Sequence, residues 1–265
     1  MKHPLDGARL KVIRAQEHLD CLKAEVWMYL HQQPDEVRSQ PQRSPQHTWL
    51  RPTHVLPPIV PAEPPPRLSA IIGDCVTNAR AALDYIMWEL AERHFDPPLD
   101  ISRRNPDDMR LSAFPIFGSR TDKGFKKRFN SLAKRKVPPP AITQLKRVQP
   151  YNARHKPLLS LRDFVNRDKH ATLLLTIGEV GDMTVEFSAW HLSDIVREPE
   201  KITIPRNLTT EKQPALQSDM PMKGKAAIYV TWKDASMPRE PVDLTLEKIV
   251  KCVGDIIPRF DSFFI

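Results

Sequence analysis

The chain has 265 residues, of which 40% are hydrophobic and 27% are charged. This is enough apolar material for one large domain or two small ones. No run approaches the eighteen or so apolar residues of a membrane span, and the N-terminal residues lack the apolar region of a signal peptide. We therefore expect a cytoplasmic protein that is not attached to a membrane.

The three cysteines, Cys21, Cys75 and Cys252, are far apart and lack CxxC spacing. A structural zinc site needs clustered ligands, and a disulfide framework generally uses an even number of cysteines. Each cysteine falls among apolar residues at helical periodicity, so we expect three buried, inert thiols. We predict no metal site and no cofactor.

The net charge of +8 is distributed unevenly along the chain. The segment from Lys123 to Arg162 contains twelve Lys and Arg residues and no Asp or Glu, so the remainder carries −4. A local positive field of this kind favours nucleic acid or another phosphate-bearing ligand. The alternative, which the sequence alone slightly favours, is a solvated surface that keeps the protein soluble.

Residues 8–31 are predicted to form the first helix, because apolar residues recur in steps of three and four from Val12 to Tyr29. Ten prolines between residues 34 and 66 then exclude a regular helix or a central strand. We expect an extended crossover, partly in the polyproline II conformation.

Residues 68–94 form the clearest predicted helix, with Ser69 as its cap and Gly73 permitting close approach of a neighbour. Polar residues near a core need partners. We therefore expect Asp74, Asn78, Arg80 and Asp84 to face residues 161–170 and to form a supporting network with Asp168. Arg80 and Asp84 are four residues apart, a spacing that favours an ion pair.

Residues 95–122 are predicted to be a loop. Residues 123–136 should form a short surface helix with a basic outer face, followed by a short helix or turn at residues 141–148. A further helix at 157–170 starts with Pro157 in its first turn. The side chains that we assign to phosphate binding in this region are Lys126, Lys127, Arg128 and Arg135.

Beyond residue 170 the hydrophobic period changes towards 2, and β-branched and aromatic residues dominate. Four strands are predicted, and the first two are joined by a hairpin turn at residues 178–182. A long loop at 206–223 and a last helix capped by Asp243 complete the chain. The strands are 172–177, 183–190, 201–205 and 226–232.

These elements predict an α+β fold, mainly a helical bundle with a small antiparallel sheet inserted before the last helix. The first and last helices should pack together, which would make residues 1–265 a single domain. The helices lie near 8–31, 68–94, 157–170 and 243–257. The predicted parts are a helical half at 1–170 with the crossover 34–66, a β part at 171–232 and a closing helix at 243–260.

Several motifs follow one another in a recognisable order: Ile72-Gly-Asp74, Asn78 to Tyr85 (NARAALDY), Phe114-Pro-Ile116, Gln149-Pro-Tyr151, and Leu161 followed by Asn166-Arg-Asp-Lys-His170. This pattern resembles a family of uncharacterised bacterial proteins over roughly residues 8–175. The resemblance implies a bacterial origin and an architecture, but no activity.

The chain is also similar to HEPN-type helical domains, many of which are RNases of toxin or defence systems. Their motif is an Arg, a polar residue and, four to six residues later, a His. Arg162-Asp163 matches the first part, but seven residues lie between Arg162 and His170, one more than the motif allows. Arg167 has two residues before His170, and Arg14 has three before His18. The resemblance therefore implies catalytic roles for Arg162 and His170 only through an altered spacing.

The densest polar cluster in the chain is residues 161–170. On a continuous helix, Arg162, Asn166, Lys169 and His170 share one stripe, and Asp163 and Arg167 pair on the adjacent one. His170 could serve as a general base and Arg162 could stabilise charge on phosphorus, so a metal-independent ribonuclease is the predicted enzyme. Asn166 and Lys169 are assigned to binding.

Two alternatives remain open. The same residues could form a structural polar network in a non-catalytic binding or scaffold module, the role that the sequence favours over catalysis. They could also line the pocket of a small-molecule enzyme. The sequence leaves the oligomeric state open, with a homodimer among the options.

Overall fold

The computed structural model describes residues 3–32, 36–38, 40–42, 53–56, 63–98, 106–170, 175–187, 200–204, 216–218, 222–234, 237–238 and 240–264. Most of these residues are helical, and the strands among them pair in the antiparallel sense. An α+β chain with a dominant helical part is therefore confirmed. None of the helices in the described ranges has the length and apolar character needed to cross a membrane.

The helices of the described part are α1 Asp6–His31, α2 Pro66–His94, α3 Pro106–Ser112, α4 Phe125–Lys134, α5 Pro139–Arg147, α6 Pro157–His170 and α7 Val242–Ile256. Short 3-10 helices occupy Ala153–His155 and Ile257–Phe263. The four long predicted helices are confirmed, each within two residues at either end.

Proline, and not a polar residue, occupies the N-cap position of three of these helices. Pro65, Pro138 and Pro241 precede α2, α5 and α7, and none of the three makes a side-chain cap hydrogen bond. The predicted caps are wrong, because Ser69 is buried within α2 and Asp243 lies inside the first turn of α7. In that position the negative carboxylate of Asp243 still interacts favourably with the positive end of the helix dipole.

Helix α3 lies within residues 95–122, which the sequence predicted to be a loop. The helix has only seven residues and is too short to be stable on its own. Its last carbonyl groups accept hydrogen bonds from Arg128 of α4. A tertiary contact therefore supports a helix that the local pattern does not predict.

The chain divides into two compact units. Unit 1 comprises Met1–Glu25, Pro65–Leu174 and Asp234–Ile265, and its core is built around α2, which contacts α3, α6 and α7. Fully buried side chains of this core include Ile72, Leu83, Leu161, Phe164 and Phe260. Large apolar residues of this kind each contribute about 1.5–3 kcal/mol when buried.

The first and last helices touch in unit 1, as predicted. Lys23 Nζ of α1 lies 3.0 Å from Glu247 Oε2 of α7, and a Cβ placed at Gly254 would lie 3.7 Å from Val12 Cγ1. On its other side, α1 accepts a hydrogen bond at the Ala15 carbonyl from Cys75 Sγ. These contacts fix α1 against both α2 and α7.

Unit 2 comprises Val26–Pro64 and Leu175–Lys233 and contains the strands. Their order is β1-β7-β4-β5 in one sheet and β2-β3-β6 in the other, with antiparallel pairing throughout. The strands are β1 Glu36–Arg38, β2 Gln40–Gln42, β3 Thr53–Leu56, β4 Leu175–Phe187, β5 Glu200–Ile204, β6 Leu216–Ser218 and β7 Met222–Trp232.

Two predictions about unit 2 are wrong. Strand β4 continues through residues 178–182, where a hairpin turn was predicted, and its register with β7 shifts between Val180 and Thr184. A bulge of this kind absorbs an irregular stretch without ending the strand. Strand β3 lies between two others although it falls in the proline-rich segment. It contains no proline, so its backbone donors are available.

Parts of the predicted crossover, at residues 43–52 and 57–62, and most of the loop at 206–223 lie outside the described residues. The organisation of the whole chain as one domain stays a prediction.

Candidate nucleic-acid interface

Helix α4 separates an apolar face from a basic one. Phe125, Phe129 and Leu132 are buried, whereas Lys126 and Lys127 are exposed. The arrangement follows the predicted spacing, because the three apolar residues recur in steps of four and three. The predicted surface helix with a basic outer face is thus confirmed for residues 125–134.

An aromatic cluster lies beneath this surface. The ring of Phe125 is 4.7 Å from that of Phe129, 5.4 Å from that of Phe117 and 6.2 Å from that of Tyr151, measured between centroids. Contacts at these separations add to the stabilisation from burial alone. The cluster joins α4 to the turn that follows α5.

Cations cover the rim of the aromatic cluster. Lys146 Nζ lies 5.2 Å from the centroid of Phe129, and Arg120 Cζ lies 5.2 Å from that of Tyr151. Both geometries are within range for cation–π attraction. We call the exposed cations around this cluster the basic face, which consists of Arg120, Lys126, Lys127, Lys134 and Lys146.

Within the described part of the chain, no residue of the basic face pairs with a carboxylate. The nearest acidic residue in the sequence, Asp122, instead accepts the backbone N–H of Ser119 through Oδ2 at 3.0 Å. The positive charge of this surface is therefore not neutralised by the described acidic groups. Such a surface attracts anions.

Arg128 does not belong to the basic face, although the sequence assigned it to binding. Its guanidinium donates to the carbonyls of Arg110, Leu111 and Ala113, at 3.1 Å for Leu111. Burial, together with the positive charge of Arg80, lowers the pKa of Arg128 to about 10, and Asp84 opposes this shift. Arg128 remains charged at neutral pH and fastens α4 to the end of α3.

Arg135 also contacts the protein itself. Its guanidinium carbon lies 4.9 Å from the centroid of the Phe95 ring, and the side chain is half-buried. Phosphate binding by Arg128 or Arg135 stays a prediction, but both side chains have positioning contacts within the described structure.

The predicted pair Arg80 and Asp84 is present and holds the backbone at Phe114. Arg80 Nη2 lies 2.9 Å from Asp84 Oδ1. Asp84 Oδ1 accepts the Phe114 N–H at 2.7 Å, and an Arg80 guanidinium N–H donates to the Phe114 carbonyl at 2.7 Å. The ion pair therefore provides hydrogen-bond partners for both the backbone N–H and the backbone carbonyl of the buried residue Phe114.

Gln149 plays a corresponding role at the other end of the Phe114–Phe117 segment. Its Oε1 accepts the Phe117 N–H at 2.9 Å, and its Nε2 donates to the carbonyls of Pro115 and Leu145, both at 2.9 Å. The side chain is fully buried. The residues that form the recognisable sequence pattern thus secure one backbone segment against α2 and α5.

The remaining members of the predicted supporting network are placed separately. Asn78 donates to the Asp74 carbonyl at 2.8 Å and accepts from Lys11 of α1 at 3.2 Å. Asp168 instead lies against Gly73, where an added Cβ would be 2.5 Å from its Oδ1. The described contacts therefore divide the predicted network among three places: α1, Phe114 and the crossing of α2 with α6.

Residues 161–170 form one helix, as predicted, with Arg162 half-buried and Asn166 exposed. Arg162 Nε donates to Asp163 Oδ1 at 2.9 Å, and Arg167 pairs with Asp234. The predicted pairing of Asp163 with Arg167 is thus wrong. The side chains of Lys169 and His170 lie outside the described residues, so the geometry of Arg162 and His170 stays untested.

The cysteines differ from one another. Cys75 and Cys252 are buried as expected, and burial raises the pKa of their thiols to about 12 and about 11. Cys252 Sγ lies 3.8 Å from His155 Nδ1, but a thiol with so high a pKa is a poor nucleophile. Cys21 is exposed, so the expectation of a third buried thiol is wrong.

No cluster of three or more His, Cys, Asp or Glu side chains suited to a metal ion occurs in the described ranges.

One pocket of about 450 Å³ lies between α2 and α3. Its walls include Tyr85 and Trp88 of α2 and Met109 of α3. The sequence did not predict this pocket, because residues 106–112 were expected to be a loop. Tyr85 and Trp88 nevertheless have the i, i+3 spacing that places two rings on one helix face.

No family model matches this chain, and no match was found among curated proteins or solved structures. The resemblances to a bacterial family and to HEPN domains stay predictions based on the sequence motifs.

Proposed function

We propose that unit 1 binds RNA through the basic face. The observation that supports this most strongly is the set of exposed cations around the aromatic cluster, which have no carboxylate partners among the described residues. Cations that neutralise phosphates release condensed counterions, and this release drives binding at low and moderate salt.

The rigidity of the surface supports the same proposal. Arg128 holds the backbone of α4 against α3 through three carbonyl groups, and the buried rings of Phe125 and Phe129 hold it from below. Lys126 and Lys127 precede Arg128 directly, so their Cα positions are fixed by these contacts. Pre-positioned cations lose less conformational entropy when they bind.

The proposal is for a binding module in which the motif residues have structural roles. Asp84 and Gln149 are occupied by backbone groups of the Phe114–Phe117 segment, which favours such a module over an enzyme that uses these two residues. RNA cleavage by Arg162 and His170 stays a separate prediction. Loss of cleavage in His170→Ala with the fold retained would support it.

We also propose that this is a bacterial cytoplasmic protein and that its helices form a bundle, with the sheet inserted before the last helix. The cytoplasmic setting is where the protein would meet RNA, and neither feature affects the test of binding.

Fluorescence anisotropy with a labelled single-stranded RNA at low salt tests the proposal. Lys126→Gln combined with Lys127→Gln should weaken binding, because two exposed charges are removed from the basic face. The matched control is Lys248→Gln combined with Lys251→Gln on α7, which changes the net charge equally. Equal binding by the wild type and the α4 variant, or equal weakening by the two variants, would rule out the basic face as the binding surface.

A further inference from the structure

The pocket between α2 and α3 has a chemistry of its own. Tyr85 and Trp88 supply aromatic surface, Met109 supplies a polarizable thioether, and Ala81 and Ala113 leave space between them. Its volume of about 450 Å³ falls within the range of about 300–1,000 Å³ that is usual for small-molecule sites. The walls are therefore suited to a flat, apolar or aromatic group.

The polar groups of the pocket restrict the ligand further. A carboxylate has about four acceptor positions, and Asp84 uses two of them for the N–H of Phe114 and the Nε–H of Arg80, while Arg80 Nη2 lies 2.9 Å from its Oδ1. Asp84 therefore keeps acceptor capacity for a ligand N–H. Ser112 Oγ already donates to the Met109 carbonyl at 3.0 Å.

The local charge disfavours a cationic ligand. Arg80 pairs with Asp84, and both residues are close enough to Arg128 to shift its pKa, Arg80 downwards and Asp84 upwards. This cluster holds two positive charges against one negative charge. A ligand group that enters the pocket should therefore be neutral, and a negative charge attached to it would be tolerated.

The pocket also adjoins α4, the helix that carries part of the basic face. Ala113 lines the pocket, and its carbonyl accepts a hydrogen bond from Arg128, which follows Lys126 and Lys127 directly. Arg128 therefore connects α4 to the wall of a site that suits a flat, neutral, N–H-bearing ring.

We infer that this pocket takes an unstacked nucleobase with an exocyclic amino group from a single-stranded RNA bound at the basic face. The inference rests on the proposed function. The ring would lie against Tyr85 and Trp88, and its amino group would donate to Asp84. Stacking of this kind contributes independently of phosphate contacts.

Two oligomers of equal length separate base binding from phosphate binding: an oligoadenylate and an abasic ribose-phosphate oligomer, each measured by fluorescence anisotropy. We expect the wild type to bind the oligoadenylate about tenfold more tightly, which is within the range that stacking of one base provides. Lys126→Gln with Lys127→Gln should weaken both oligomers and preserve the ratio of their affinities.

Ala81→Phe tests the location, because the added ring fills the pocket from α2 without removing a wall. It should reduce the ratio to about one, and Trp88→Leu should do the same, while Trp88→Phe keeps a ring and retains part of the preference. Circular dichroism and thermal melting identify any variant that fails to fold.

Equal affinity of the wild type for the two oligomers would overturn the pocket inference and leave the proposed function intact. A preference that survives both Ala81→Phe and Trp88→Leu in folded protein would also overturn it. If neither oligomer binds at low salt, the proposed function fails and the pocket inference fails with it.

Discussion

Asp168 of α6 lies directly over Gly73 of α2. A Cβ at Gly73 would fall 2.5 Å from Asp168 Oδ1 and 3.0 Å from its Cγ. The absence of a side chain at Gly73 therefore lets the two helices carry a carboxylate at their crossing. This contact connects two of the sequence motifs, Ile72-Gly-Asp74 and Asn166-Arg-Asp-Lys-His170.

Gly73→Ala should fail to give the stabilisation of about 1 kcal/mol that alanine normally provides over glycine inside a helix. In the Asp168→Ala background that gain should return, because the crowding carboxylate is gone. Urea unfolding of the four proteins gives the coupling between the two positions, which we expect to be at least about 0.5 kcal/mol.

The control for this cycle replaces Asp163, another exposed carboxylate of α6, with alanine. Gly73→Ala should show no coupling to that substitution. An equal gain from Gly73→Ala in the wild type and in Asp168→Ala would mean that the contact has no effect on stability.

Gln149→Leu should destabilise unit 1 by about 2–4 kcal/mol, because it leaves the Phe117 N–H and the Pro115 carbonyl without their partner in a buried place. The loss would appear as a lower midpoint in urea unfolding. Gln144→Leu is the matched control on α5, since Gln144 is only half-buried, and it should change stability by less than about 0.5 kcal/mol. Similar effects of the two variants would contradict the role assigned to Gln149.

The stability of the protein should fall as the pH drops below about 6.5. Burial, followed by the charges of Arg259 and Arg154, lowers the pKa of His155 from 6.5, and burial with Arg93 lowers that of His94. The unfolded chain then binds protons at a pH where the folded protein does not. Acid therefore favours unfolding, and the stability contribution is present above the unfolded-state pKa.

Free energies of unfolding measured between pH 5 and pH 7.5 test this prediction. His155→Asn and His94→Asn should each flatten part of the pH dependence, and the double variant should flatten both parts. A double variant with the same pH dependence as the wild type would show that other groups cause it.

Thiol labelling should distinguish Cys21 from the other two cysteines. At pH 8 the native protein should react rapidly at one of its three thiols, because Cys21 is exposed while burial raises the pKa of Cys75 and Cys252. All three should react in denaturant. Mass spectrometry identifies the labelled residue, and rapid native labelling of Cys75 would contradict the packing of α2 against α1.

Elements with a strong local pattern were predictable from the sequence. The apolar stripes of α1 and α2 and the proline at the start of α6 suffice to place those helices. The same stripe could have corrected the prediction for Cys21, since residues 15, 19, 22 and 26 face the core and residue 21 falls between them.

Features that depend on distant partners were not predictable. The spacing of Arg80 and Asp84 predicted their pairing, but their target, Phe114, lies thirty residues away from Asp84. Helix α3 depends on Arg128 in the same way, and the α2–α3 pocket depends on α3. The roles of Arg128 and Arg135 were also not apparent, because a run of basic residues does not indicate which side chains turn inwards.

The dependence of RNA affinity on salt tests the central claim most directly. For a single strand, the logarithm of the association constant should fall with the logarithm of salt concentration by about 0.7 for each phosphate contacted. The account predicts that Lys126→Gln with Lys127→Gln makes this slope shallower by about 1.4, whereas Lys248→Gln with Lys251→Gln leaves it near the wild-type value. An identical slope for the wild type and the α4 variant would contradict RNA binding through the basic face.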